Sequence, residues 1–135
     1  MITPEQYFAG KPHTPEHRGS AITLLYRVNA LRDRAESEGI VRHTCPNTGT
    51  EISGSKGGSG DGGFRLETST TGSGRSSHKE AKGVDAYDPG NRLDGWVTDA
   101  ILEEFDLYRE APESTDGWCH LTTRRPGSGH RTFNP

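Results

Sequence analysis

The stretch that decides the fold is Gly74-Arg-Ser-Ser-His-Lys-Glu-Ala-Lys-Gly-Val-Asp-Ala-Tyr-Asp88, in which Gly83–Tyr87 has the composition of a short strand. It contains His78, followed seven residues later by Asp85. A second histidine, His120, lies far downstream in Gly117-Trp-Cys-His-Leu121, which also reads as a strand. Two imidazoles and one carboxylate form the ligand set of a catalytic zinc ion, whose fourth position is left for water. The sequence therefore predicts a zinc site made by His78, Asp85 and His120.

The spacing Ser76-x-His78-x6-Asp85 with a later Trp-x-His resembles the zinc D-Ala-D-Ala peptidase family. That family includes D,D-carboxypeptidases, D-Ala-D-Ala dipeptidases and many phage endolysins, and it shares its fold with the hedgehog signalling domain. Its usual motif is Ser-x-His-x-x-Gly-x-Ala-x-Asp, and here the two small positions are exchanged, as Ala81 and Gly83. The resemblance covers roughly residues 65–135 well and the first half weakly, and the closing run resembles phage-encoded members most.

The resemblance also implies roles for residues around the zinc ion. Gly62-Gly-Phe-Arg65 resembles the Ser-Gly-Tyr-Arg that precedes the family motif, where the Arg lies beside the scissile carbonyl. In that role Arg65 holds substrate and stabilises the oxyanion, because a guanidinium is permanently charged and donates two parallel hydrogen bonds; otherwise it is a surface residue. Ser76 is expected to hydrogen-bond the substrate, or to be only a turn residue. Trp118 shares the strand face of His120 and either lines the peptide cleft or packs in the core.

The carboxylate that moves the proton is where the chain departs from the family pattern. Relatives often place a Glu three residues before the last His, and Gly117 occupies that position here. Two other acids are candidates for the catalytic base, Glu110 and Asp116. Glu110 is preferred, because a predicted strand beside the zinc strand would hold its side chain rigidly. If neither reaches the water, the protein binds zinc and hydrolyses slowly or not at all.

Composition indicates one small domain over residues 1–135 with long irregular segments. The hydrophobic fraction is 28% and there are 18 glycines, so we expect a small core. The net charge is −3 and no basic block occurs, which excludes an electrostatic footprint for nucleic acid. No apolar run approaches the roughly 20 residues of a membrane span, and the N-terminus lacks the pattern of a signal peptide. Cys45 and Cys119 are too few for a disulfide framework and either pair or remain free buried thiols.

Hydrophobic periodicity predicts two helices, over Ser20–Glu38 and over Arg92–Phe105. The second is expected to be capped by Asn91 or Asp88 and to place Asp94 on its outer face. The apolar faces consist of Leu24, Val28, Leu31 and Ala35 in the first helix and of Leu93, Trp96, Val97, Ala100, Ile101 and Phe105 in the second.

The other segments are predicted to be less regular. Residues 1–19 carry three prolines and are expected to form a polar arm with one short helical turn at Pro4–Phe8. Residues 40–52 contain a turn signal and form either a hairpin or an extended connection. Residues 53–75 contain Gly/Ser-rich stretches, which are expected to be flexible loops inside the domain. Short strands are predicted over Leu107–Glu110 and Trp118–Thr122.

These observations favour an α+β fold: a small antiparallel sheet, two main helices packed on one side, and zinc in a groove on the other. The hedgehog/D,D-peptidase layout comes from the resemblance. The expected function is that of a zinc metallopeptidase of the D,D-carboxypeptidase/endopeptidase type. It would cut peptidoglycan stem or cross-bridge peptides, as an endolysin or a virion-associated lysin.

Without a signal peptide, such an enzyme would leave the host cytoplasm through a holin or travel in the virion, with other virion proteins as candidate partners. The basic closing run, with Arg124 and Arg125, either meets the anionic wall polymer or is a solvated tail. Two alternatives differ in class. One is a non-catalytic structural or wall-binding virion protein that keeps the fold; the other is a small-dipeptide hydrolase acting in the cytoplasm.

Overall fold

A computed structural model describes residues 1–54, 61–69 and 76–135 and places helices around one sheet. The helices are α1 (Pro4–Phe8), α2 (Pro15–Ser37), α3 (Arg92–Trp96) and α4 (Asp99–Phe105), and the strands are β1 (Gly83–Tyr87), β2 (Tyr108–Glu110), β3 (Trp118–Thr122) and β4 (Thr132–Phe133). The strand order is β1-β3-β2-β4, which is compatible with the predicted α+β class.

The sheet is mixed. Strand β3 pairs antiparallel with β1 and with β2, whereas β4 runs parallel to β2. The prediction of a wholly antiparallel sheet is therefore wrong, because the closing run of the chain returns alongside β2 in the same direction. The strands predicted over Leu107–Glu110 and Trp118–Thr122 are confirmed as β2 and β3.

Residues 1–19 were predicted to form a polar arm, but they form helix α1 and the beginning of helix α2. Thr3 and Thr14 each accept a hydrogen bond from the backbone N–H three residues later, and each is followed by a proline at the first helical position. Both features stabilise a helix N-terminus, because they satisfy or remove N–H groups that have no partner inside the helix. The short helical turn at Pro4–Phe8 is confirmed, and the long helix begins at Pro15, earlier than the predicted Ser20.

The N-terminal segment also belongs to the core. Ile2, Tyr7 and Phe8 are buried in the same cluster as the apolar face of α2. The hydroxyl of Tyr7 donates a hydrogen bond of 2.8 Å to the carbonyl of Gly83, where β1 begins. The segment that was predicted to be a polar arm therefore supports the strand that carries Asp85.

The second predicted helix is interrupted in its middle. Helix α3 ends at Trp96, Val97 is extended, and Thr98 caps α4 by accepting a hydrogen bond from the backbone N–H of Ile101. A threonine that bonds the backbone in this way starts a new helix instead of continuing the old one. The apolar periodicity runs on across this break, which is why the sequence predicted one helix.

Asp94 is buried, and the prediction that it lies on the outer face is wrong. Its carboxylate accepts a hydrogen bond of 2.8 Å from Thr115 Oγ1 and lies 3.6 Å from the guanidinium of Arg109. The predicted capping role belongs to Asp88, whose two carboxylate oxygens accept from the backbone N–H groups of Leu93 and Asp94. This polar cluster joins α3 to β2 and to the turn before β3.

Residues 40–52, which follow α2, form an extended segment with a turn closed by a 2.7 Å hydrogen bond from Cys45 N to Thr50 O, and Ile52 forms an isolated bridge with Ala86. Cys45 and Cys119 are buried free thiols. The flexible loops predicted within residues 53–75, including the stretch 68–75, fall largely on residues 55–60 and 70–75, which lie outside the described residues. Residues 61–69 between them are described and lie next to the ligand residues.

The sheet separates the core from the site. On β3, Cys119 and Leu121 point into the hydrophobic core, while His120 points to the opposite face with Trp118 and Thr122. On β1, Asp85 pairs with His120 in the antiparallel register and faces the same side. This alternation is the one that the sequence predicts for a half-buried strand.

Candidate metal centre

His78, Asp85 and His120 converge on one point. Their potential ligand atoms all lie within 4.8 Å of one another, and no other group of this kind occurs among the described residues. One oxygen of Asp85, Oδ1, lies 2.8 Å from His120 Nδ1 and 3.4 Å from His78 Nε2. Four ligands about 2.1 Å from a tetrahedral zinc ion stand about 3.4 Å apart. The donor set and the spacing therefore fit a zinc-sized ion with shifts of less than about an ångström.

The local backbone explains how the chain brings these ligands together. Asp85 and His120 face each other across two antiparallel strands. His78 sits in the turn that precedes β1, where Lys82 N donates to Ser77 O at 2.9 Å and Ala81 N donates to His78 O at 3.3 Å. Ala81 has a left-handed conformation with φ 58°. These two bonds and this conformation form a Schellman motif, which reverses the chain from the turn into the strand.

Each ligand has a partner behind it. His78 Nδ1 lies 2.8 Å from the carbonyl of Gly63, so its other ring nitrogen faces Asp85. His120 Nε2 lies 3.3 Å from the hydroxyl of Ser77, which leaves Nδ1 toward Asp85. The second oxygen of Asp85 lies 3.7 Å from the guanidinium of Arg65. Metal-binding histidines and carboxylates are commonly oriented by such outer partners.

The carboxylate of Asp85 is held in its ionised form. Burial on its own would raise its pKa, but the imidazole of His78 and the hydrogen bond from His120 outweigh burial and hold the pKa of Asp85 well below its usual range. A buried carboxylate that stays ionised is the form that coordinates a divalent ion.

The three ligands lie in a cavity of about 600 Å³ that also contains most of the predicted substrate-binding and catalytic residues. These are Arg65, Ser76, Glu110 and Trp118. Ser76 is both a turn residue and a cavity residue, because its hydroxyl accepts from His78 N at 3.2 Å and from Arg65 Nη1 at 3.4 Å. Trp118 lines the cavity and lies outside the core cluster.

Of the two candidate bases, the structure brings only Glu110 to the ligands. Continuing the β2–β3 register by one residue places Glu110 opposite His120, on the face that carries Asp85. Partial burial raises the pKa of Glu110, against the opposing effect of His120. Asp116 is exposed, accepts a 2.9 Å hydrogen bond from Asn91, and does not line the cavity. The bond to Asn91 holds it on the outer side of the turn before β3.

The closing run forms a wall of the cavity. Arg124, Arg125 and Pro126 line it together with the last residues of the chain, and Arg124 forms a 3.0 Å ion pair with Glu80. The ring of Phe133 on β4 lies 6.3 Å from the ring of His120, nearly perpendicular to it. Part of the basic closing run therefore lines the site.

Sequence reasoning missed Gly63 and Ser77, which hold the two histidines. A backbone carbonyl such as that of Gly63 leaves no signal in residue types. Ser77 stands between two residues of the motif, and only the structure shows that its hydroxyl points to His120.

No protein-family model, no curated protein and no solved structure matches this chain. The resemblance to zinc peptidases therefore rests on the motif residues of the sequence alone. Among the helices of the described residues, none has the length and apolar character needed to cross a bilayer.

Proposed function

We propose that this chain is a zinc-dependent peptidase that hydrolyses stem or cross-bridge peptides of bacterial peptidoglycan. The observation that carries the proposal is the convergence of His78, Asp85 and His120 within 4.8 Å, at the floor of a cavity that Glu110 and Arg65 also line. Two histidines, one carboxylate, a nearby acid and a fixed guanidinium are groups that can together carry out metal-assisted peptide hydrolysis.

A zinc ion held by His78, Asp85 and His120 would act as a Lewis acid and lower the pKa of a water molecule to about 7. Glu110 would accept the proton of the attacking water and deliver it to the leaving amine. Its position on β2, opposite His120, keeps it on the ligand side of the sheet. Its raised pKa suits the first half of this task, because a more basic carboxylate takes up a proton more readily.

Arg65 would stabilise the negative charge that develops on the carbonyl oxygen. Its Nε donates a 2.7 Å hydrogen bond to the carbonyl of Asp61, and its terminal nitrogens lie near Ser76 and Asp85. These contacts fix the guanidinium before substrate arrives, so little reorganisation is needed when the charge forms. Ser76, beside it, would orient the substrate backbone or carboxylate.

The walls of the cavity favour a peptide that carries carboxylates. Arg124 and Arg125 form one side, and Trp118 offers an apolar surface on which an extended peptide can lie. Stem peptides of peptidoglycan contain free carboxylates, and a basic wall is complementary to them. The narrower assignment, an endolysin or a virion-associated lysin, follows from the sequence resemblance.

Zymography on purified cell walls tests the proposal. We expect clearing that disappears with a chelator, returns with zinc and is absent for His120→Ala; His130→Ala is the matched control, because His130 is exposed and does not line the cavity. Mass spectrometry of the released fragments then identifies the bond. Stoichiometric zinc binding without fragment release would favour the non-catalytic wall-binding alternative. Hydrolysis of free dipeptides without attack on walls would favour the small-dipeptide hydrolase.

A further inference from the structure

We infer that Ser77 is a positioning residue for the metal centre: its hydroxyl orients the imidazole of His120, and Gly83 keeps open the space that this hydroxyl occupies. The inference rests on the proposed metal site, and it assigns a role to two residues that carry no ligand atom themselves. It concerns the state in which His120 Nδ1 serves as a ligand.

The geometry leaves little freedom at this point. Ser77 is 4% exposed, and its Oγ lies 3.3 Å from Nε2 of His120. A Cβ added at Gly83 would lie 2.2 Å from Ser77 Oγ and 3.0 Å from both Ser77 Cβ and Cε1 of His120. The first distance is far below any van der Waals contact. An alanine at position 83 and the observed position of the Ser77 hydroxyl therefore exclude each other.

The backbone on both sides is tied down, so the clash cannot be relieved by a small backbone shift. The carbonyl of Ser77 accepts from the N–H groups of Glu80 and Lys82, at 3.2 and 2.9 Å. The carbonyl of Gly83 accepts from the hydroxyl of Tyr7 at 2.8 Å, and Gly83 pairs with Thr122 on β3. The group that can move is the Ser77 side chain, and its rotation would break the contact with His120.

The chemistry of imidazole explains why this contact matters. In a neutral imidazole one nitrogen carries hydrogen and the other has a free lone pair. If Nδ1 of His120 gives its lone pair to a metal, Nε2 must carry the hydrogen and needs an acceptor in a buried place. The hydroxyl of Ser77 is in position to accept it. Removing such an outer partner typically lowers metal affinity by about 10–100-fold.

The alternative is that Gly83 and Ser77 are independent structural residues of a turn and a strand. The two interpretations differ in how the substitutions combine. If Gly83→Ala acts mainly by displacing the Ser77 hydroxyl, it should have little further effect on zinc affinity once Ser77→Ala has removed that hydroxyl, because only the 3.0 Å contacts of the new Cβ with Ser77 Cβ and His120 Cε1 remain. If the residues act independently, the two effects should multiply.

The test measures zinc affinity of the full chain by competition with a chromophoric chelator. We expect Ser77→Ala and Gly83→Ala each to weaken zinc binding by about 10–100-fold, and the double variant to bind within about threefold of Ser77→Ala. Ser114→Ala, at an exposed serine outside the cavity, should bind as the unmodified chain does. Wild-type affinity in both single variants, or effects that multiply in the double variant, would overturn the inference.

Nitrogen-15 NMR of the zinc-loaded protein gives a second readout. We expect a slowly exchanging Nε2–H of His120 in the unmodified chain and a faster exchanging one in Ser77→Ala; equal exchange in both would contradict the inference. Should Ser77→Ala not fold, the unmodified chain alone still tests the inference, because an Nε2–H of His120 that exchanges as fast as that of an exposed imidazole would contradict it. Neither measurement needs turnover. Zinc binding without wall hydrolysis would thus refute the proposed function alone, and absence of zinc binding by the unmodified chain would refute both.

Discussion

Replacing Glu110 by glutamine tests the proposed chemistry most directly. The substitution preserves the size of the side chain and removes its ability to accept a proton. Glu110 lines the cavity and lies opposite His120 in the strand register, but it is not one of the three ligand residues. We therefore expect zinc affinity to stay within a few-fold of the unmodified chain while catalysis falls.

The size of the expected loss follows from the role of a general base. A positioned proton acceptor contributes about 10²–10⁴-fold to the rate, which corresponds to about 3–5.5 kcal/mol in the activation barrier. The loss should appear in kcat, because the carboxylate acts on the attacking water. The contribution of Glu110 to the acid limb of the pH profile should also disappear. A base works only when ionised, so activity rises with pH through the pKa of Glu110, and glutamine has no such titration.

Asp116→Asn is the matched control, because it makes the same chemical change at the other candidate acid. Asp116 is exposed, bonded to Asn91 and outside the cavity, so we expect kcat and zinc affinity to remain unchanged. Release of soluble fragments from purified walls under single-turnover conditions, with zinc content measured on the same samples, gives both quantities. Full activity in Glu110→Gln together with a large loss in Asp116→Asn would refute the assignment of the base.

Two further predictions concern the support of the site; urea unfolding of the metal-free protein checks the changes in stability, and competition with a chelator checks the zinc affinity. Tyr7→Phe removes the hydroxyl that bonds the carbonyl of Gly83 and should destabilise the fold by about 1–2 kcal/mol; an unchanged midpoint would show that the N-terminal helix does not hold β1. Gly63→Ala should cost about 1–3 kcal/mol and weaken zinc binding, because its Cβ would lie 2.4 Å from the backbone oxygen of Tyr7 and would displace the carbonyl that orients His78. Gly19→Ala is the control: Gly19 is exposed within α2 with open space around it, so alanine should stabilise the protein by about 0.5–1 kcal/mol. Equal effects at positions 19 and 63 would contradict the reasoning.

The face of β3 on which His120 lies could be predicted because it has a local cause, whereas the convergence of the three ligands was expected from their metal-binding chemistry and from the resemblance to zinc peptidases. Alternation along a strand puts residues two apart on one face, so His120 and Trp118 had to point away from Cys119. That β1 pairs with β3, and in which register, is a matter of long-range pairing. It is the structure that places Asp85 opposite His120 and, one strand further, Glu110.

The errors in the fold also have physical reasons. The helix starts at Thr3 and Thr14 carry a Thr-Pro-Glu signature in the sequence, but the arm was predicted from the polarity and the three prolines of residues 1–19, without this signature. The break at Thr98 lies inside a continuous apolar pattern. Hydrophobic periodicity gives no signal that the backbone N–H of Ile101 donates to the Thr98 side chain at the start of a new helix. The two-residue strand β4 is too short to carry any alternation, so its parallel pairing with β2 had no sequence signal.

The exchanged small residues of the motif link the turn to the metal centre. Ala81 takes the left-handed position of the Schellman motif, where glycine is usual, and a left-handed conformation costs an L-residue roughly 1–2 kcal/mol. Ala81 is fully buried in the core, and burial of its methyl group stabilises the folded protein by about 0.8 kcal/mol. Alanine also loses less backbone freedom on folding than glycine would, by about 0.5–1 kcal/mol. These contributions nearly cancel, so an alanine at position 81 is tolerated.

At position 83 no such balance exists, because any Cβ would collide with the Ser77 hydroxyl. With alanine at position 81 and glycine at position 83, the residue that lacks a side chain lies where the Ser77 hydroxyl contacts His120.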